Sequence, residues 1–416
     1  MDVLLLADAS ASAVLGGLSQ FERLVCNLAE ALPGPGPGPR VTVVWSSPAD
    51  RAACPAPEPG RPLRLAVEHR VDGDPRTPDG PPGGSTLLLS TALVLGRGTL
   101  ARLLAGEPRP AGLPIRVLPA GSLPAGDRWD WQALAALLTR SPAGVPGTAP
   151  GFAAVLDSST PREVAEQGLF RSLGKPSDGY VARFLNRPLS TALTRVLART
   201  RVTPDRVSIG VLGLAVGAAW LVSRGSPAGF VLGCLLNQAA STLDGCDGEL
   251  ARLKFLDSRR GAWLDTTVDM VGNHLFILAM GIGLSRQPGL PPGQRDDYLW
   301  EGIAATIGLA FCVWAVARLT RATTGEAHFN NFGSGLVTGT VAPGLLRRIV
   351  ARLAPVFRRD VYALVFLVLA VLGRPALILH FFALGVVAHV PAIAWAWWHH
   401  HPPARLAGSR GGTLHA

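Results

Sequence analysis

The pattern of apolar and polar positions changes character near residue 170. Before that point apolar runs are short and separated by turn residues. After it, six stretches can be read as spans of about 20 residues. Their cores are 207–223, 228–245, 262–284, 299–317, 361–373 and 376–398, the fifth being short. The second and third carry aspartates towards one end. Ahead of the first, between Lys175 and Arg201, Val181, Phe184, Leu185, Leu189, Leu193, Val196 and Leu197 recur at helical spacing with basic residues between them. That pattern predicts an amphipathic helix in the membrane interface, its apolar side in the acyl boundary and its arginines near anionic headgroups. Packing against the preceding domain is the alternative. Pro188 kinks or restarts this helix, and Thr203-Pro204-Asp205 marks the start of the first span.

The first 170 residues read differently. Val3–Ala7 and Val41–Trp45 have the composition of buried parallel strands, and Phe21 to Leu32 between them has helical periodicity, giving a βαβ start. Thr86–Val94 adds a further strand. Pro/Gly-rich stretches at 33–39, 55–62, 74–84 and 142–150 read as loops or insertions. The expected division is therefore an α/β domain over 1–170, doubly wound, then a junction with the amphipathic helix over 171–206. An all-α six-helix transmembrane domain follows over 207–416.

Charge fixes the expected orientation. The segment before the first span and the loops joining spans two to three and four to five hold most of the basic residues, including Arg171, Lys175, Arg183, Arg187, Arg252, Lys254, Arg259, Arg260, Arg318, Arg321, Arg347, Arg348, Arg352, Arg358 and Arg359. The alternate loops hold Arg224, Arg286, Arg295 and Arg374. By the positive-inside rule both termini face the cytoplasm, as expected of a multi-pass protein of the cell (inner) membrane. The formal net charge of +10 suits anionic lipid or phosphorylated substrates. No aromatic-basic RNA-reading motif is visible, so nucleic acid is not expected as a partner. The five cysteines form no C-x-x-C pair and no disulfide framework. The opening Met1-Asp-Val-Leu-Leu-Leu-Ala-Asp lacks the basic start and apolar length of a cleaved signal.

The chemistry concentrates in the second and third spans. Asp244, Asp247, Asp265 and Asp269 lie in apolar surroundings, where an ionised carboxylate costs about 3 kcal/mol or more. Residues three or four apart share a helix face, so each pair projects its carboxylates from one side, and two such helices side by side make a four-carboxylate cup. Oxygen-only ligands suit Mg²⁺ or Mn²⁺ and leave room for substrate phosphates. Gly248 and Gly261 flank the cup and let a nucleotide approach the backbone; Arg252, one turn after Gly248, can pair with a phosphate.

The run Asp244-x-x-Asp247-Gly248-x-x-Ala251-Arg252, then eight residues, Gly261, Asp265 and Asp269, resembles the signature of the CDP-alcohol phosphotransferases, which are integral membrane enzymes. The resemblance implies that the four aspartates bind two divalent ions and that Asp269 is also the general base. It implies a CDP-alcohol donor, an alcohol or phosphorylated polyol acceptor, and a homodimer formed through the spans. The family has Thr-Pro-Asn where this chain has Thr203-Pro204-Asp205, a departure that leaves Asp205 beside Gly248, Arg252 and Gly261 as a nucleotide-binding position. Basic residues after the fourth span line the acceptor pocket in the family, which singles out Arg318, Arg358 and Arg359. Anchoring to headgroups is their alternative use. His399, His400 and His401 read as a wet interfacial end rather than a metal site.

The domain order is similar to that of bifunctional proteins joining an inositol-phosphate cytidylyltransferase to a di-inositol-phosphate-phosphate synthase. Val155-Leu-Asp157-Ser-Ser-Thr160-Pro161, Lys175-Pro-Ser-Asp-Gly179 and Leu185-Asn-Arg187-Pro188 carry the likeness at the junction. Active nucleotidyltransferases of this kind place a Gly-rich loop with an arginine directly after the first strand and a lysine soon after, which neutralise the triphosphate. Here Ala7-Asp8-Ala9-Ser10-Ala11-Ser12 stands there, Gly16-Gly17 is retained, and no Arg or Lys precedes Arg23. A degenerate, non-catalytic nucleotidyltransferase-like domain is therefore expected. Two other readings stay open: a bifunctional enzyme with a working CTP:inositol-1-phosphate cytidylyltransferase, and a non-enzymatic membrane transporter or scaffold.

Overall fold

The computed structural model describes residues 2–32, 40–54, 65–76, 85–108, 112–123, 127–139, 151–157, 160–174, 178–324 and 358–387. Most of the Pro/Gly-rich stretches, Lys175, Arg347, Arg348, Arg352, the second half of the sixth apolar run and His399–His401 lie outside these residues, as does the side chain of Arg321. The chain forms two compact units. The first comprises Met1–Lys175, Thr191–Thr203 and Gly248–Asp257; the second comprises Pro176–Ser190, Pro204–Asp247 and Ser258–Ala416.

The first unit is α/β. Strand β1 (Asp2–Ala7) leads through a 3-10 turn (Ala9–Ser12) and a small hairpin, β2 (Val14–Leu15) and β3 (Leu18–Ser19), into helix α1 (Gln20–Ala31). Ser19 caps α1 by accepting a hydrogen bond from the Glu22 amide, the Ser-x-x-Glu pattern that starts helices. The chain returns as β4 (Arg40–Trp45), continues through the short α2 (Pro48–Ala53) to β5 (Ala66–Val71), and crosses over to β6 (Thr86–Ser90). After a turn come β7 (Leu93–Leu95), α3 (Thr99–Leu104), β8 (Ile115–Leu118), α4 (Trp131–Thr139), β9 (Ala153–Val155) and α5 (Arg162–Arg171).

The main sheet has the order β5-β4-β1-β6-β8, parallel except for β8, which runs antiparallel to β6. Its central strands are apolar on both faces because both are covered. Val3 and Leu5 pack with Phe21, Leu24 and Leu28 of α1 and Leu100 of α3, whereas Leu4 and Leu6 pack with Leu134 and Leu138 of α4. The apolar run Thr86–Val94 proves to be two strands. It breaks at Thr91, and β7 leaves the main sheet to pair with β9.

Helices make up the second unit. A single π-helical turn (Ala182–Asn186) precedes α6 (Arg187–Ala198), so that Pro188 sits in a helical first turn rather than at a break. Phe184, Leu189 and Val196 are exposed, while Asn186, Ser190 and Thr194 are buried. The polar side is the one turned inward. In the second unit Asn186 accepts hydrogen bonds from Gln238 and Thr242; in the first, Thr194 donates to Glu249 at 2.7 Å.

Among the described residues six further helices follow: α7 (Pro204–Ser223), α8 (Pro227–Lys254), α9 (Arg259–Ser285), α10 (Pro292–Thr324), α11 (Arg359–Val371) and α12 (Ala376–Val387). Among the described residues, Pro204–Ser223, Arg259–Ser285 and Pro292–Ala315 are long and apolar enough to cross a membrane. The 28-residue α8 is long enough but is interrupted by Gln238, Asp244 and Asp247, and α11 has only 13 residues. Small residues let these helices approach closely. Gly281 of α9 and Gly302 of α10 meet backbone to backbone, and a Cβ on Gly283 would fall 2.1 Å from the Val222 carbonyl oxygen of α7. Phe276 and Phe366 stack at 6.3 Å within an apolar cluster that includes Phe230, Met280 and Leu379.

Candidate functional site

Asp244 and Asp247 share one face near the end of α8, and after a short connection Ser258 caps α9 by accepting from the Gly261 amide at 2.9 Å. The next turn brings in Asp265. One carboxylate oxygen from each of Asp244, Asp247 and Asp265 lies within 4.8 Å of the others, with Asp247 buried and its two partners half-buried. Ser208 of α7 donates to Asp247 Oδ2 at 2.6 Å and so fixes that carboxylate. Three hard oxygen donors at this separation fit a Mg²⁺- or Mn²⁺-sized ion.

The fourth aspartate lies one turn farther along α9 with a different partner. Arg359 of α11 donates to Asp269 and forms an ion pair with Asp244 Oδ1 at 3.2 Å. One turn beyond, Tyr362 donates to Asn273 Oδ1 at 3.1 Å. Asp265, Asp269 and Asn273 thus form a row along α9, and the last two face Arg359 and Tyr362 across the gap to α11.

Other predicted positions are placed as follows. A Cβ on Gly261 would lie 3.2 Å from Asp205 Oδ1, so the absence of a side chain there leaves room for the Asp205 carboxylate. A Cβ on Gly248 would lie 3.2 Å from Arg252 Nη1, and Arg252 Nη2 donates to the Leu173 carbonyl at 3.1 Å, within the first unit. Arg358 precedes α11 and lies 3.4 Å from Asp360, whose other oxygen accepts from the Ala182 amide at 2.8 Å. Arg318 is exposed and lies over the Trp314 ring of its own helix. Arg187 holds Asp178 through two hydrogen bonds, tying together two junction segments picked out in the sequence. Ser208, Asn273, Tyr362 and the buried Asn186–Gln238 pair were not singled out for roles. Their one signal is polarity inside or beside an apolar run.

At the crest of the sheet in the first unit, β1 lies where the strand order reverses, the position at which open α/β sheets bind ligands. A hydroxyl and carboxylate network occupies it. Ser10 Oγ donates to Asp8 Oδ1 at 2.5 Å and lies 2.8 Å from Thr91 Oγ1, and the Asp8 amide donates to Thr91 Oγ1. Arg23, the first basic residue, is turned inward at 1% exposure and donates to the Leu15 and Leu253 carbonyls. Gly16 and Gly17 both have positive φ and form the β2–β3 hairpin turn.

No protein-family model matches the chain. It is 36% identical over 172 residues to the bifunctional IPC transferase and DIPP synthase of Rubrobacter xylanophilus, covering 40% of this chain and 39% of that one. It is also 36% identical over 132 residues to the protein of the same name from Aquifex aeolicus, covering 31% and 30%. The corresponding protein of Thermococcus kodakarensis is 33% identical over 137 residues, covering 32% and 30%. The matches therefore span about two-fifths or less of these curated relatives. Over that part of its length, the chain is a distant homologue of bifunctional IPC transferase and DIPP synthase proteins.

Proposed function

We propose that the protein is a membrane-embedded CDP-alcohol phosphotransferase, moving a phospho-alcohol group from a CDP-alcohol to an acceptor hydroxyl with release of CMP. The observation that carries this reading is the convergence of Asp244, Asp247 and Asp265, with Asp269 on the next turn. The relatives, named as transferases and synthases, support the same class. Asp244, Asp247, Asp265 and Asp269 would hold two divalent ions, which when bound supply Lewis-acid charge opposite the diphosphate. Asp269 accepts the proton of the attacking hydroxyl. Asp205, Gly248, Arg252 and Gly261 are assigned to the nucleotide side, and Arg318, Arg358 and Arg359 to the acceptor phosphate. Of these three, Arg359 has the strongest support because it already touches Asp269.

In this reading all six apolar helices from α7 to α12 belong to a transmembrane domain. The segment 171–206 lies in the interface, and the aspartates face the cytoplasm. The outward apolar side of the π turn and α6 supports that placement. The nucleotidyltransferase-like domain over 1–170 is non-catalytic: the Asp8 network stands where a triphosphate would need cations, and Arg23 is bound to carbonyls. The bifunctional names of the relatives favour a second reading in which this domain is active. Full-length protein given CTP and inositol 1-phosphate should release no pyrophosphate; release at enzymatic rates would decide for the bifunctional reading.

Product mass spectrometry on membranes supplied with CDP-inositol or CDP-diacylglycerol and phosphorylated acceptors tests the main assignment. A phosphodiester product together with CMP is expected, and neither product across the panel would return the transporter or scaffold reading. Ser208→Ala should weaken Mn²⁺ binding roughly tenfold, because losing a hydrogen bond that orients a ligand has an effect of this order. A titration followed by electron paramagnetic resonance reads this directly, and unchanged affinity would remove Ser208 from the site.

A further inference from the structure

A polar cavity lies wholly within the first unit, with a volume of about 560 Å³. Its lining includes Arg162, Arg199, Arg201 and Lys254 against a single carboxylate, Glu166. The fold fixes part of this set. Arg162 donates to the Val14 carbonyl, Lys254 Nζ donates to the Thr200 carbonyl at 2.8 Å, and Glu166 accepts from the Gly16 amide at 2.9 Å. Gly17 lets the β2–β3 turn reach the end of α6, since a Cβ there would lie 2.0 Å from the Ala198 carbonyl oxygen. Arg199 and Arg201 are exposed, and their guanidinium groups make no hydrogen bond or ion pair among the described residues.

We propose that this cavity is a binding site for a phosphate-bearing anion. Four cations around one carboxylate leave the walls strongly positive, and a concave wall of one sign concentrates counter-charge. Arginine matches phosphate oxygens in a two-pronged geometry that water and chloride do not exploit. The volume falls within the range that holds a small ligand or a lipid headgroup. Either source would present the same chemistry. The site lies at the C-terminal end of α6, on which the apolar Val196 is exposed.

The test uses the full chain in neutral detergent micelles, titrated with short-chain phosphatidic acid and, separately, with inorganic phosphate. The paired substitution Arg199→Gln/Arg201→Gln should weaken binding by about tenfold, since it removes two charge-assisted contacts. Glu166→Gln retains an acceptor for the Gly16 amide while removing the opposing charge, and should tighten binding severalfold. Phosphate held at the aspartate cup would respond to neither change, and tighter binding cannot come from misfolding. Preference for phosphatidic acid assigns the site to a headgroup, whereas equal or better binding of inorganic phosphate assigns it to a soluble anion. Wild-type protein that binds neither probe, or affinities unmoved by both substitutions, would overturn the proposal.

Discussion

Asp269→Asn should lower CMP release by at least about 100-fold, the loss expected when a positioned proton acceptor is removed. The amide is nearly the same size as the carboxylate and its oxygen can still accept from Arg359, so the contact between α9 and α11 has a replacement. Membrane insertion and expression should therefore be unchanged. Asp265, the neighbouring member of the oxygen cluster, stays in place, so metal binding should persist in weakened form. Such an outcome would separate proton transfer from assembly of the site. Undiminished turnover would show that Asp269 is not the base, and an unfolded variant would show that its main work is to hold α11. An Arg359→Gln companion, in which Asp269 keeps its charge but loses this partner, tells whether the base needs that orientation.

Gly283→Ala should have the largest effect on stability among single-methyl changes in the helical unit. A Cβ at this position meets the Val222 carbonyl oxygen at 2.1 Å and its carbon at 3.0 Å, with the Phe230 ring at 3.2 Å. Two of those atoms are backbone, so no rotamer change relieves the clash and α9 must shift away from α7. Overpacking of this kind costs about 3 kcal/mol. The variant should lose much of its resistance to heat in detergent. Gly210→Ala is the matched control, because its Cβ would meet nothing within 4 Å, and alanine at an open helical site is neutral or slightly favourable. Equal stability of the two variants would mean that α7 and α9 are not packed as described.

The sequence revealed the parts of this molecule that depend on local periodicity. The βαβ start was readable because β1 and β4 are largely apolar runs and because Phe21 to Leu32 between them has helical periodicity; the Ser19 cap that sets the start of α1 went unread. The break at Thr91 was not readable, since Ser90 and Thr91 are small hydroxyl residues that strands tolerate and only the pairing of β7 with β9 separates the strands. The four aspartates stood out through their spacing and apolar setting. Their convergence also needs α8 and α9 side by side, and the structure brings three together while giving Asp269 to Arg359. That partner lies 90 positions away, so no local pattern could have linked them. Ser208 was hidden for a similar reason, as one hydroxyl in an apolar helix has many ordinary explanations. For α6 the periodicity showed two faces, and helix packing decided that the polar one turns inward.

The central claim is that the aspartate cluster performs metal-dependent transfer from a CDP-alcohol. Its most direct test is CMP release by the purified full chain in lipid, across a panel of CDP-alcohols, with Mg²⁺ or Mn²⁺ and again after chelation. The account predicts release with at least one donor, abolished by the chelator and restored by adding the ion back. Absence of release with every donor, or release that the chelator leaves unchanged, would contradict it.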